Sequence, residues 1–121
     1  MLFPTSKEKK EYLKGMVLGY LNAGLWVQFD EPNDLSVADI SLSTKKQAIQ
    51  ECGDFLTKIN YFISGIGYNE MGFDFYLTRT HQGAGFWDRG MGERGDFLTK
   101  ISHEFRDVTP IIGDDNKIYF E

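Results

Sequence analysis

The first pattern of apolar and polar positions along the chain is helical. Tyr12, Leu13, Met16, Val17, Tyr20 and Leu21 recur at i, i+3, i+4 and i+7 spacing, which gathers them on one stripe, while Lys7, Lys9, Lys10, Glu11 and Lys14 fall off it. Thr5, followed three residues later by Glu8, reads as a capping box and sets the start of this helix. Gly15, Gly19 and Gly24 each lower helix propensity by up to about 1 kcal/mol relative to Ala. Either packing holds the helix despite them, or they admit a close helix crossing. From Val27 to Ser43 the period breaks around Pro32 and Asn33, which predicts a loop, with a short helical turn at Ser36–Asp39 and with Leu35, Val37 and Ile40 pinning it to the core. Thr44 with Gln47 forms a second capping box, and Ala48, Ile49, Cys52, Phe55, Leu56, Ile59, Phe62 and Ile63 then predict a second helix, ended by Gly65, Gly67 and Asn69.

After that the period changes to two. Phe73, Phe75 and Leu77 alternate with Asp74, Tyr76 and Thr78, which predicts a half-buried strand. A turn at His81–Gly83 would return the chain through Ala84–Trp87 as an antiparallel partner, making a hairpin, and the glycine-rich stretch from Asp88 to Gly95 would be an exposed loop. A third helix is expected over Asp96–Phe105, burying Phe97, Leu98, Ile101 and Phe105, followed by strands at Val108–Ile112 and Lys117–Phe120 about a Gly113–Asn116 turn. The expected order ααββαββ has short-turn strand pairs and no strand-helix-strand alternation. It argues for a single α+β domain over residues 1–121, with an antiparallel sheet packed against helices. The heptapeptide GDFLTKI occurs twice, at Gly53–Ile59 and Gly95–Ile101. Two copies are too few for a solenoid, and similar core demands on two amphipathic turns account for them, with a local duplication or a pair of equivalent docking faces as the alternatives.

Composition narrows the function. A chain of 121 residues and 13.9 kDa fits one domain, and ten Phe, six Tyr and two Trp supply its core. The formal charge of -5 disfavours duplex binding through a uniformly basic surface, though a local basic patch is compatible with it. The lone Cys52 cannot form an internal disulfide, no apolar run approaches the roughly 20 residues that span a bilayer, and no signal-peptide pattern opens the chain. A soluble cytoplasmic domain, with no membrane partner, is expected.

The candidate chemistry is concentrated in Arg79, His81, Trp87, Asp88, Arg89 and Arg94, a span that holds three of the four arginines. A hairpin would set their guanidinium forks beside the Trp87 ring, a combination that grips a phosphate, stacks a base or docks an acidic protein surface. The opposing expectation is that Trp87 folds under the sheet and the arginines pair with Asp74, Asp88 or Glu93. His81 is the candidate general base of a small hydrolase-like enzyme, oriented by Asp74 or Asp88, but no nucleophile motif accompanies it and no catalytic residue is assigned. Cys52, His81 and His103 lack metal-ligand spacing, and Asp114–Asn116 lacks the rest of a calcium loop. The glycine stretches lack the endings of phosphate-binding loops, so neither metal nor cofactor is expected. Asp30, Glu31, Asp34 and Asp39 make a candidate acidic partner surface.

The segment FDFYLTRTHQGAGFWD (Phe73–Asp88), with Gly95–Leu98 and IGDDNKI (Ile112–Ile118), resembles a family of small phage-encoded proteins of unassigned function. The resemblance covers about the last 50 residues and departs from the pattern at Phe73, where a His would be expected. It implies a phage or mobile-element origin and an early accessory role in a bacterial host cell, and it supplies no mechanism. The function expected is therefore non-catalytic binding to a host or phage macromolecular machine, one involved in defence or nucleic-acid processing among the options. Single-stranded nucleic-acid binding through Arg79, Trp87, Arg89 and Arg94 is the alternative, and the hydrolase is a weaker one. The glycine-bearing first helix and an exposed sheet edge are candidate dimer surfaces.

Overall fold

The computed structural model describes residues 4–29 and 35–121. Helix α1 (Ser6–Phe29) opens on the expected capping box: the Thr5 amide donates to Glu8 Oε1 at 2.9 Å, and the Glu8 amide to Thr5 Oγ1 at 3.1 Å. The helix runs past Gly24 to Phe29, so it takes in the first residues assigned above to a loop. Ser36 and Asp39 cap a 3-10 turn at Val37–Asp39 as their spacing predicts. Helix α2 (Leu42–Lys58) is capped by Ser41, whose Oγ accepts the Thr44 amide at 3.1 Å, so it begins ahead of the predicted box. It also ends earlier than expected, because Asn60 and Tyr61 turn left-handed at φ 55° and 52°. Ile49 and Phe62, expected on its buried stripe, are exposed.

The predicted strand at Phe73–Thr78 is replaced by a helix, α3 (Tyr68–Arg79). Eight of the nine residues from Met71 to Arg79 are buried, and only Phe73 is partly open. A helix enclosed on nearly every side has no polar face to impose a 3.6-residue period, so the alternation of its aromatics is incidental. The hairpin falls with it. Residues Phe86–Asp88 form a 3-10 turn, whose entry is held by the Gly85 amide donating to Asp88 Oδ1 at 3.1 Å. Helix α4 (Glu93–Ser102) starts before the predicted residue and leaves Phe97 exposed rather than buried. The chain closes with strands β1 (Pro110–Ile112) and β2 (Ile118–Phe120), antiparallel in the register Pro110↔Phe120, Ile111↔Tyr119 and Ile112↔Ile118. The α+β class holds, with four α-helices and one two-stranded antiparallel sheet among the described residues.

The core lies where α3 crosses α1. A Cβ on Gly72 of α3 would overlap the Met16 carbonyl oxygen and stand 2.7 Å from the Tyr20 nitrogen, so the two backbones touch where a side chain would separate them. Gly19 of α1 meets the Asn69 backbone of α3 in the same way, which is the close crossing that the α1 glycines admit. Beyond the crossing, Phe55 of α2 stacks on Phe75 at 4.4 Å between centroids and lies parallel to Phe86 at 5.9 Å. The sheet is tied to the entry of α2 through the Ser41 amide on the Ile118 carbonyl, at 2.9 Å, and the Phe120 amide on Thr44 Oγ1, at 3.2 Å.

The two copies of GDFLTKI sit in different surroundings, and their glycines should respond with opposite signs. A Cβ on Gly53 meets only Leu13 Cδ2, at 3.8 Å, so Gly53→Ala should raise stability by about 0.5–1 kcal/mol through helix propensity. A Cβ on Gly95 would stand 2.9 Å from the Phe86 carbonyl oxygen, and one on Gly72 would strike α1. Gly95→Ala and Gly72→Ala should each lower stability by about 1–3 kcal/mol. Urea unfolding midpoints check all three, and a stabilising Gly72→Ala would overturn the close crossing.

Candidate interaction site

The six residues singled out between Arg79 and Arg94 do not form one surface. Arg79, in the last turn of α3, is completely buried. Its Nη1 donates to Glu51 Oε1 of α2 at 2.6 Å and to the Tyr20 hydroxyl of α1 at 3.0 Å, while Nε, at 2.9 Å, and Nη2 both donate to the Arg106 carbonyl. The guanidinium also lies 5.5 Å from the Phe105 ring centre and 5.7 Å from that of Phe75. Arg79 is therefore an interior ion-pair residue and presents nothing to a partner or a nucleic acid. The hairpin expectation set Arg79 beside Trp87, whereas α3 and its crossing with α1 bring it against Tyr20 of α1 and Glu51 of α2.

Arg89 stands at the surface and grips Asp74 in a fork, Nε to Oδ2 at 3.1 Å and Nη2 to Oδ1 at 2.8 Å, with Asp88 Oδ1 3.9 Å away. The Asp74 hydrogen bond is the main reason that its pKa lies above the ordinary arginine value. This pairing is the one expected if the arginines do not bind a ligand. Trp87, by contrast, is not folded under any sheet and is 52% exposed. Arg94 lies across the Phe62 ring at 4.4 Å and donates to the carbonyls of Ser64, at 2.6 Å, and Phe62, at 3.0 Å, so it straps the start of α4 to the chain after α2.

His81 stacks on His103, with ring centres 4.6 Å apart and planes 27° from parallel, a contact between the C-terminal ends of α3 and α4 that the sequence did not suggest. The Asp74 carboxylate is held by Arg89 and Asp88 Oδ1 by the Gly85 amide, so the two carboxylates proposed to orient His81 have other engagements. Among the described residues, no group of three or more His, Cys, Asp and Glu side chains is placed to hold a metal ion. Cys52 is fully buried, and burial pushes its thiol pKa up, in keeping with its place on the core stripe. Of the acidic candidates, Asp30, Glu31 and Asp34 lie outside the described residues. Asp39 accepts the Ser36 amide at 2.7 Å within its own turn.

An open groove does form at this corner. Trp26 of α1, 60% exposed, rests on Phe73 of α3 with ring centres 5.7 Å apart. Together with Leu77, Gln82, Ala84 and Arg89 they line a groove of about 470 Å³. The chain after α3 is held over it by the Phe86 amide donating to Thr78 Oγ1 at 3.1 Å. Trp26 was absent from the candidates because its sequence neighbourhood is an apolar helix, and its approach to Phe73 depends on the α1–α3 crossing. A smaller polar cleft of about 190 Å³, lined by Ser43, Thr44, Gln47, Glu51, Arg106 and Tyr119 among others, opens beside the Arg79 network. No helix among the described residues is long and apolar enough to cross a membrane.

The two arginines should separate in stability. Arg79→Ala leaves Glu51 and the Tyr20 hydroxyl without their buried partner and should lower stability by about 3–5 kcal/mol, whereas Arg89→Ala, whose solvent-screened pair is at the surface, should lower it by about 1 kcal/mol. Equal losses in chemical denaturation would contradict the assignment of Arg79 to the interior. Burial also pushes the Tyr76 hydroxyl up to about 12 and those of Tyr12 and Tyr20 well above their ordinary value. The unfolded chain then releases phenol protons at lower pH than the folded one, so stability is intact below about pH 10 and declines as pH rises through 10 to 12. Thermal melts followed by circular dichroism should show Tm falling over that interval.

Comparison with protein-family models, with curated proteins and with solved structures finds no match.

Proposed function

We propose that this protein is a non-catalytic accessory protein of phage or mobile-element origin, which binds and modulates a host or phage macromolecular machine in the bacterial cytoplasm. The observation that carries the reading is the pair of exposed indoles, Trp26 over the groove against Phe73, and Trp87 two residues before Arg89. Large aromatic surface left open to water, beside a guanidinium held in place by Asp74, has the composition of a protein-binding hot spot. The phage origin is supported by the resemblance in Phe73–Asp88. Single-stranded nucleic-acid binding has less support. Of its four residues, Arg79 is buried, Arg89 is balanced by Asp74 and Asp88, and Arg94 is engaged with Phe62 and two carbonyls.

The test is a tagged pull-down from lysates of uninfected and phage-infected bacteria, with and without nuclease, comparing the parent with a Trp26→Ser, Trp87→Ser variant whose fold is checked by circular dichroism. The expected result is a stoichiometric, nuclease-resistant protein partner whose affinity falls by at least about thirtyfold in the variant, the loss of about 2 kcal/mol typical of one hot-spot tryptophan. Retention of nucleic acid alone, or a partner bound equally by both forms, would overturn the reading.

A further inference from the structure

We propose that the groove between α1 and α2 docks an amphipathic helix of a partner protein, with acidic residues along the borders of its apolar face. The groove has a volume of about 440 Å³. Its floor is Leu13, Val17 and Leu21, and Leu18 and Ile49, 44% and 49% exposed, stand at its sides. Its charged lining is Lys10, Lys14 and Lys45, with no acidic side chain among the described residues. None of these three lysines is in a salt bridge among the described residues, in contrast to Lys58, which pairs with Glu104. In a chain of net charge -5 this is a local reversal of sign laid around an apolar trough.

Length and charge together select the occupant. Lys10 to Leu21 spans eleven residue steps of α1, about 16 Å, which is about three turns of a second helix laid alongside. Apolar anchors at i, i+4 and i+7 would fill such a trough, and flanking carboxylates would meet the lysines, which adds register and rate of encounter to the apolar contact. The chain's own residues 30–34 carry Asp30, Glu31 and Asp34 but offer only Pro32 as an apolar side chain. They match the charge of the trough and not its floor, so an external helix is the occupant that satisfies both.

The inference shares with the proposed function the view that this is a binding protein, but it uses other residues, so either can fail alone. The probe is a synthetic peptide of about 14 residues, about four helical turns, with Leu at i, i+4, i+7 and i+11 and Glu on the borders. A second peptide has Lys in place of every Glu. Each is titrated into the isotope-labelled full chain and followed by amide chemical shifts. The expected shifts are confined to Lys10–Leu21, Val37 and Lys45–Ile49, with the Glu peptide binding at least about tenfold tighter than the Lys peptide, a difference that shrinks as salt rises. Combining Lys10→Glu, Lys14→Glu and Lys45→Glu should reverse that preference. Leu18→Ser with Ile49→Ser, both exposed positions, should abolish binding of both peptides while the melting curve is kept. Equal binding of the two peptides, shifts centred elsewhere, or no binding overturns the proposal. So does a concentration-dependent dimer that Ile49→Ser dissolves, which would make a second copy the occupant. Capture by phosphatidylglycerol vesicles in preference to the Glu peptide would overturn it in favour of a lipid surface.

Discussion

The guanidinium of Arg79 is where α1, α2, α3 and the segment ahead of β1 meet, and it has to be satisfied by all of them because no side of it faces water. A buried cation without partners is strongly unfavourable, and even a paired one gains little net stability over an apolar replacement of its shape. Its consequence is directional. Glu51, the Tyr20 hydroxyl and the Arg106 carbonyl come from three different parts of the chain, and each must arrive at a fixed place around one planar group. Glu51 keeps some access to water through the polar cleft, which lowers the desolvation cost on the acidic side of the pair.

The close crossing of α1 and α3 makes that arrangement reachable. Gly72 lies on the α1 backbone between Met16 and Tyr20, and Arg79 follows it by seven residues, about two turns along α3. Bringing the backbones into contact places the Tyr20 ring against Phe75 and Tyr76, at 5.6 and 5.3 Å between centroids, with its hydroxyl in reach of Arg79. A side chain at Gly72 would lift α3 away from α1 and break contacts two turns further on. The polar network and the glycine contact are two ends of one constraint. The same crossing sets Trp26 on Phe73, so the open groove at the surface is a product of core geometry.

What could be read from the sequence was local. The Thr5–Glu8 and Ser36–Asp39 boxes and the turn between β1 and β2 each depend on residues a few positions apart, and each is formed. What depended on distant partners could not be read. Phe73, Phe75 and Leu77 alternate like a strand because α3 is enclosed by α1 and by the aromatic cluster of Phe55, Phe86 and Phe105, so polar residues have no face on which to recur. Misreading that element put Arg79 on a hairpin and hence into a binding site. The GDFLTKI copies make the same point with identical residues: Phe55 is at the centre of the core, while Phe97 lies at the surface beside the chain that follows α2. Seven residues are not enough to decide burial when the neighbours come from elsewhere.

Positive charge is distributed by this fold in a way that bears on recognition. The arginines, with their planar forks, are drawn into fixed geometry: Arg79 within the core, Arg89 on Asp74, Arg94 across Phe62, and Arg106 on the Asp107 and Glu121 carbonyls. The lysines of α1 and the start of α2 are point charges on flexible stems, and three of them border exposed leucine and isoleucine side chains. Available cationic charge therefore lies next to apolar surface, away from the glycine-rich loop where the sequence concentrates its arginines. Phosphate recognition draws on rigid, unpaired forks, whereas docking of an amphipathic protein segment draws on apolar contact edged by mobile charge. The second of these is the resource that the surface retains once the arginines have been committed to holding the fold together.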